Sequence, residues 1–263
     1  MTRYFSTLTS VVFLFLALSL DSCISKRKLT YFTSPPIDTI RDKKLNNQNP
    51  GYRLQPRDVL SIRIKTLDEK TSNYFNAFPP SQVQQINNAA LYMNGHSIDV
   101  DGNVTLSEVG KINVANLTIY EAQEKIQKRV NEFLSNATIL VKLVSFKITV
   151  LGEVANPGHF YVYNDQATVL EALGMAGDLT DYGQRDNITL VRQVEGGSIV
   201  KVINLKSKNL IASPYYYMMP NDVLYVQPLK AKLDRGNLGT LNILSILFGA
   251  ISTAILLLNY TKK

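Results

Sequence analysis

Residues 98–126, IDVDGNVTLSEVGKINVANLTIYEAQEKI, contain the signals that decide the fold of the first half of the chain. Asp101-Gly102 suits a tight turn between two alternating runs, which predicts a β-hairpin over residues 98–106. Thr118 and Glu121 have the spacing of a capping box, which predicts the start of a helix. The apolar face of that helix is predicted to hold Ile119, Ala122, Ile126, Val130 and Phe133. The stretch therefore predicts paired strands followed by an amphipathic helix.

Strand patterns lie on both sides of this stretch. Leu60, Ile62 and Ile64 alternate with polar residues, which is typical of a strand with one buried face. Residues 137–151 are rich in β-branched side chains and predict one long strand or two consecutive strands. Residues 34–51 have the polar, turn-rich composition of a linker, and the Asn- and Gln-rich residues 68–97 predict a long loop or insertion.

A second domain is predicted to begin near Lys147. Pro157-Gly158 indicates a turn between strands, and Thr168 with Glu171 forms another capping box. The short helix after it is predicted to end at Gly174 and Gly177. Two further strands are predicted at Asn187–Arg192 and Ser198–Asn204, joined through Glu195-Gly196-Gly197.

A short pattern recurs in the two predicted domains. Pro56, Asp58, Val59 and Leu60 have the same spacing as Pro220, Asp222, Val223 and Leu224. The match predicts that each domain uses the same proline turn to enter a strand.

The composition places the chain among globular proteins. It has 263 residues, of which 45% are hydrophobic and 19% are charged, and its net charge is +7. This positive charge favours acidic glycans or anionic lipid surfaces as partners. We predict no nucleic-acid partner, because the longest basic run is Lys26-Arg27-Lys28 and the chain starts with an export signal.

That export signal surrounds the single cysteine. Residues 8–20, LTSVVFLFLALSL, form an apolar run of signal-peptide length behind Arg3. Leu20-Asp21-Ser22-Cys23 resembles a bacterial lipobox, in which Cys23 is acylated and becomes the new N-terminus, although Asp21 departs from the usual small or apolar residue. The alternative is a signal peptide that ends near a free cysteine.

The last twenty-odd residues carry a second apolar segment. Residues 241–260, LNILSILFGAISTAILLLNY, contain no charge and predict a helix long enough to span a bilayer. On a helical projection its small and polar residues share one face, which indicates helix–helix packing or contact with water in a pore. A plain tail anchor is the alternative. The predicted stripe consists of Asn242, Ser245, Gly249, Ser252, Thr253, Asn259 and Tyr260.

No group of residues in the sequence argues for an enzyme. HExxH, CxxC and phosphate-binding glycine motifs are absent, so we predict neither metal nor cofactor. His96 and His159 are predicted to be surface residues in turns, and Asp99 to serve the turn at Asp101-Gly102. The tyrosines at 215–217 suit sugar stacking or ordinary packing, and the sequence favours packing.

These motifs, taken in order, resemble a known pair of domains. GYRLQPRDVLSI and the 98–126 block are similar to the polysaccharide biosynthesis/export domain, and ITVLGEVANPGHFYV with TVLEALGMAGDLTDYG is similar to the SLBB domain. With a lipobox before them and an apolar helix after them, the chain resembles Wza-type polysaccharide export lipoproteins. It departs from that type in having one SLBB module and a more apolar C-terminal helix.

The resemblance implies an α+β fold in which a polysaccharide export domain precedes a β-grasp-like SLBB domain and a C-terminal transmembrane helix. The expected divisions are 1–22 signal peptide, 23–50 lipid anchor and linker, 51–146 polysaccharide export domain, 147–230 SLBB domain and 238–260 membrane-spanning helix.

The implied function is export of capsule or exopolysaccharide across the outer membrane through an oligomeric ring. The implied partners are further copies of the chain, an inner-membrane polysaccharide co-polymerase, the exported polysaccharide and membrane lipid. The expected location is the outer membrane, with lipid-anchored periplasmic domains. The alternative is a periplasmic glycan-binding or scaffold lipoprotein with a simple tail anchor.

Overall fold

A computed structural model describes residues 29–33, 45–47, 49, 51–68, 72, 76, 92–230, 232, 246, 248–249 and 251–253. The buried apolar side chains of these residues form two clusters. One cluster draws on residues 54–141 and the other on residues 146–226. Each cluster is the core of one layer of sheet covered by one main helix.

The first core lies between a three-stranded antiparallel sheet, a hairpin and a helix. The sheet has the order β2-β1-β5, and β3 pairs with β4. The elements are β1 (Val59–Lys65), β2 (His96–Ser97), β3 (Asn103–Leu106), β4 (Gly110–Asn113), α1 (Ile119–Val130) and β5 (Thr138–Leu143).

Helix α1 begins where the capping box predicts. The Thr118 hydroxyl accepts a hydrogen bond from Glu121 N–H, and Glu121 accepts one from Thr118 N–H. Two glutamines of the helix also bind the backbone of β5: Gln123 accepts from Val141 N–H at 3.1 Å and Gln127 from Ile139 N–H at 2.9 Å. The edge of β5 is thereby covered by side chains instead of being open to another strand.

The predicted hairpin is displaced along the chain. Asp101-Gly102 does form a turn, and the Asp99 carboxylate accepts from the N–H groups of Asp101 and Asn103. The paired strands, however, are β3 and β4, which are joined by the next turn at 107–109. An Asx-type turn at Asp99 satisfies the backbone there without strand pairing, so the strongest turn signal does not mark the hairpin loop.

The second core lies against a five-stranded mixed sheet of order β10-β9-β12-β6-β7, in which only β12 and β6 run parallel. A small pair, β8 with β11, and helix α2 cover it. The elements are β6 (Lys147–Gly152), β7 (Gly158–Tyr161), β8 (Ala167–Thr168), α2 (Val169–Met175), β9 (Gly183–Val194), β10 (Gly197–Ile203), β11 (Tyr217–Met218) and β12 (Val223–Pro228).

Most sequence signals of this region are confirmed. The capping box of Thr168 and Glu171 opens α2, and residues 137–151 divide into β5 and β6. Gly177 follows the end of α2 with φ +75°, and the Asp178 N–H returns to Leu173 O at 2.9 Å. The predicted stop at Gly174 is wrong, because this residue lies inside the helix.

The recurring proline pattern is the same turn in both halves. Asp58 N–H donates to Gln55 O, and Asp222 N–H donates to Met219 O, both at 3.1 Å. The residue before each aspartate has positive φ, +78° at Arg57 and +66° at Asn221, as in a type II turn. Each turn leads directly into a strand, β1 or β12, so the prediction of a shared proline-turn entry is confirmed.

The two turn aspartates are buried but have different partners. Asp58 accepts from Tyr52 Oη at 2.8 Å, from Ser145 Oγ at 3.3 Å and from Gln55 N–H. Asp222, whose side chain is 0% exposed, forms a bidentate pair with the Arg192 guanidinium at 2.7 and 3.0 Å. Burial raises the pKa of both carboxyls, while their hydrogen bonds act in the opposite direction.

The predicted α+β fold with a C-terminal transmembrane helix is wrong in its last element. The described residues form mostly strands, with a mixed sheet in the second half. Among them, no helix is long and apolar enough to span a bilayer.

Three single-residue predictions also need correction. Phe133 lies beyond the end of α1 and is 49% exposed, because the chain turns after Val130 and carries it away from the core. His96 and His159 lie in strands β2 and β7, not in turns. Burial lowers the pKa of His96.

Because the two turn aspartates have different partners, replacing each with asparagine is expected to lower the free energy of unfolding by different amounts. Asp222→Asn leaves the buried Arg192 charge unpaired, so we expect a loss of about 3–5 kcal/mol in the free energy of unfolding. Asp58→Asn removes a charge whose side-chain partners are neutral, so we expect about 1–2 kcal/mol. Urea unfolding of both variants measures the difference. Equal losses would show that the Arg192 pair does not determine the stability of the second core.

Candidate functional site

A cleft of about 620 Å³ lies where the two halves of the chain meet. One wall of the cleft is the outward face of the first sheet, because strands β1 and β5 alternate between core and surface. Ser61 pairs with Lys142 and Arg63 with Leu140 in this register, and all four line the cleft. The outward side chains of β1, which the sequence shows only as polar positions, therefore belong to one wall of a cleft.

The opposite wall is the segment that follows β7. Tyr161, Tyr163, Asn164, Asp165 and Gln166 line the cleft from this side. The N-terminal end of α1 closes a third side with Thr118, Ile119 and Tyr120.

Asp165 holds the two walls together. One carboxylate oxygen accepts from Tyr120 Oη at 2.9 Å and the other from Lys142 Nζ at 3.0 Å. The lysine lowers the pKa of Asp165, and the bond to Asp165 raises the pKa of Tyr120. A second link joins Asn49 Nδ2 to Gln166 Oε1 at 2.8 Å. The hydrogen bonds of Asp165 and Gln166 therefore connect the two sides of the cleft.

The lining of the cleft suits binding better than acid–base catalysis. Tyrosine rings and side-chain amides can contact the apolar faces and the hydroxyl groups of sugars. In the described part of the lining, Asp165 is the acidic residue, and both of its oxygens are already bonded. Glycoside hydrolysis ordinarily needs a pair of carboxyl groups, which this lining does not present.

The residues that form this cleft were not identified from the sequence as a site. Tyr120 and Asp165 are 45 positions apart, and Lys142 and Asp165 are 23 apart. No local motif connects residues at such distances. The sequence signal nearest to the cleft was Tyr120 within the capping box of Thr118 and Glu121. A tyrosine at that position is not specific for a binding site.

The predicted site residues lie elsewhere. Cys23, Asn242, Ser245, Asn259 and Tyr260 fall outside the described residues. Gly249, Ser252 and Thr253 are described, and all three are exposed. A Cβ built on Gly249 would meet no atom within 4 Å, so no packing partner of that position lies in this chain's described part.

The hydroxyl groups of Ser252 and Thr253, the two described members of the stripe that carry one, have partners within their own helical segment. Ser252 Oγ donates to Phe248 O at 2.5 Å, and Thr253 Oγ1 donates to Gly249 O at 2.6 Å. Hydroxyl groups bonded in this way do not require a neighbouring helix or water.

Residues 31–32 contact the second half of the chain, which the sequence did not indicate. Tyr31 is partly buried there, its hydroxyl donates to Asp178, and the Arg185 guanidinium lies 5.7 Å from its ring centroid. Phe32 N–H donates to Leu205 O at 3.0 Å. Burial raises the pKa of Tyr31. Residues predicted to form a linker into the first domain are therefore attached to the second.

The tyrosine cluster behaves as packing, as the sequence favoured. Tyr215 and Tyr216 pack against the second core, and Arg192 and Lys201 lie 5.8 and 5.6 Å from the ring centroid of Tyr215.

Removal of the bridge at Asp165 is expected to change the distance between the two halves without unfolding either of them. Asp165→Ala removes both bonds, and because the groups are exposed we expect each half to lose less than about 1 kcal/mol. The distance distribution between spin labels on α1 and on the segment after β7 should broaden. Glu132→Ala breaks an equally exposed ion pair away from the cleft and is the control. An unchanged distribution in Asp165→Ala would contradict the bridging role.

Comparisons with known proteins match both halves of the fold. Residues 46–144 match the polysaccharide biosynthesis/export protein family, and residues 147–203 match the SLBB domain. Over 153 residues the chain is 25% identical to the EPS I polysaccharide export outer membrane protein EpsA of Ralstonia nicotianae. That alignment covers 54% of this chain and 38% of the relative, so the chain spans well under half of the relative's length. The first matched family is one of export proteins and not of enzymes, and the chain contains a polysaccharide biosynthesis/export domain followed by an SLBB domain.

Proposed function

We propose that this protein is a subunit of a conduit that exports capsular or extracellular polysaccharide across the outer membrane. The observation that carries the proposal is the order of the two domains, a polysaccharide biosynthesis/export domain followed directly by an SLBB domain. A relative with the matching region is named as an outer-membrane polysaccharide export protein, which supports the location as well as the role.

The conduit is a homo-oligomeric ring. A polymer must pass through an opening wider than a sugar ring, whereas each half of this chain is packed around its own apolar core. Several copies arranged around an axis can enclose such an opening, and a heterologous contact repeated by rotation closes a ring. An inner-membrane polysaccharide co-polymerase delivers the polymer to it.

The ring is attached to the membrane by acyl chains on Cys23. Tyr31, which packs against the second core, is eight residues after Cys23. Eight extended residues reach roughly 28 Å, so an acylated Cys23 would hold the second domain near the membrane surface. The contacts of Tyr31 with Asp178 and Arg185 support this orientation.

Export is tested in a bacterium that makes its own polysaccharide and lacks this protein. The native chain should restore polymer at the cell surface, whereas cells without it should retain polymer inside the outer membrane. Quantifying surface and cell-associated polysaccharide separates these outcomes. Normal surface polymer without the protein would contradict an export role.

Acylation is tested by labelling with radioactive palmitate. We expect the native chain to take up label and Cys23→Ser to take up none, because no other cysteine occurs in the chain. Ser22→Ala, beside the site, is the control and should be labelled like the native chain. Equal labelling of native protein and Cys23→Ser would rule out this anchor.

The alternative is a periplasmic glycan-binding or scaffold lipoprotein. The interdomain cleft supports glycan binding, because tyrosines and side-chain amides of its lining can contact sugars. Particle size separates the two functions. Closed rings of many copies in detergent support the conduit, and monomers or dimers that still bind polysaccharide support the alternative.

A further inference from the structure

Arg63 is a half-buried cation on the wall of the interdomain cleft. It lies on the outward side of β1, where it pairs with Leu140 of β5, and both residues line the cleft. Arg53, Arg129 and Arg192 are each paired with a carboxylate. Among the residues that the structure describes, no carboxylate forms such a pair with Arg63. Its guanidinium therefore has no counter-ion in the described part of the chain.

The charges of the lining leave the cleft positive. Its charged residues are Arg63, Lys142 and Asp165. Lys142 and Asp165 bind each other at 3.0 Å, so their charges offset and that of Arg63 remains. The register places Lys142 opposite Ser61, which makes the lysine a diagonal neighbour of Arg63 on the same wall. An anionic group that enters the cleft is therefore attracted to this wall.

The wall opposite Arg63 has the chemistry of a sugar site. It presents the rings of Tyr161 and Tyr163, and Tyr163 is 74% exposed. The exposed amides of Asn164 and Gln166 follow directly. Aromatic rings can contact the apolar face of a pyranose, and amides can bond to its hydroxyl groups. The volume of about 620 Å³ is within the range of sites for small ligands.

The single unpaired guanidinium suits a carboxylate better than a phosphate. A guanidinium and a carboxylate form two parallel hydrogen bonds. Phosphate sites ordinarily use a helix start or a loop whose N–H groups point at the anion. Here the Thr118 N–H at the start of α1 is bound to Glu121, and Lys142 is bound to Asp165. One uncompensated cation matches the one charge of a carboxylate.

We propose that the interdomain cleft binds an acidic sugar unit of the polysaccharide, with the sugar carboxylate on Arg63 and the sugar ring against Tyr163. The inference rests on the proposed export function and names the chemical class of polymer that this chain contacts. Arg63 selects chains that contain uronic acids, whereas Tyr163 binds the ring of an acidic or a neutral sugar. The first half of the chain supplies the cation and the second half supplies the ring.

The test is isothermal titration calorimetry of the full-length protein in detergent with two probes. One is a trisaccharide of galacturonic acid, and the other is its methyl ester, which has the same rings without the charge. We expect the native chain to bind the acid about tenfold more tightly than the ester, because the ester has no charge for the guanidinium. Acetate and inorganic phosphate, each at the concentration of the trisaccharide, should not displace it.

Two variants separate the roles of charge and ring. Arg63→Gln should weaken binding of the acid about tenfold and leave binding of the ester unchanged. Tyr163→Ala should weaken both by about three- to tenfold, because it removes the contact with the ring. Lys65→Gln is the matched control: it removes the same charge from the same side of β1, outside the cleft lining, and should bind both probes like the native chain. Circular dichroism checks that each variant is folded.

Several results would overturn the inference. Equal affinity of the native chain for acid and ester, or unchanged affinity of Arg63→Gln for the acid, would remove the role of Arg63. Displacement by acetate or phosphate would show a site for small anions instead of sugars. Binding of neither trisaccharide would remove the site. Each of these results leaves the export function standing, because the surface-polysaccharide assay decides on it separately. Normal surface polymer without the protein would contradict export even where the cleft selects the acid.

Discussion

A buried aspartate that closes a proline turn is the interaction on which both halves of this protein depend. Asp58 and Asp222 each accept the N–H of the residue three positions earlier, at 2.9 and 2.7 Å. That bond holds Arg57 and Asn221 at a positive φ that residues other than glycine seldom adopt. The strand that follows each turn enters its sheet at a defined register: β1 between β2 and β5, and β12 between β9 and β6. Without these turns neither central strand would be positioned.

The same turn serves two different electrostatic environments. In the first half, neutral hydroxyl groups of Tyr52 and Ser145 satisfy the carboxylate. In the second half, Arg192 satisfies it and also donates to Tyr217 O at 2.7 Å, which ties β9, β11 and β12 to one charge pair. Removing either partner of a buried pair of this kind is destabilising, because it leaves an uncompensated buried charge. The buried aspartate of the second half is therefore held by a charge pair, whereas the hydroxyl groups that hold the aspartate of the first half are neutral.

The arrangement of the two halves determines which surfaces are available for function. The interdomain cleft exists because the outward face of β1 and β5 approaches the segment after β7, and Asp165 fixes that approach. On one side of the five-stranded sheet Leu151 and Tyr225 are exposed, because α2 and the β8–β11 pair pack against the opposite side. Tyr31 packs against the second core, so residues 31–32 lie on this half of the chain. In the proposed conduit, the bridge at Asp165 holds the two halves of one subunit together, and the Tyr31 contact lies on the half that is next to the proposed membrane attachment.

The sequence by itself determined the local elements: both capping boxes, the glycine turn at Gly177 after α2 and the repeated proline turn. These follow from hydrogen bonds between residues three to five positions apart, which a sequence displays directly. It also identified the two domains, through the order of their motifs. It left open whether residues 137–151 form one strand or two. Only the tertiary structure decided the hairpin of β3 and β4, the bridge at Asp165 and the partner of Asp222. Each of these depends on strand register or on contacts between residues tens of positions apart, and the free energy of such contacts comes from packing that no local pattern encodes.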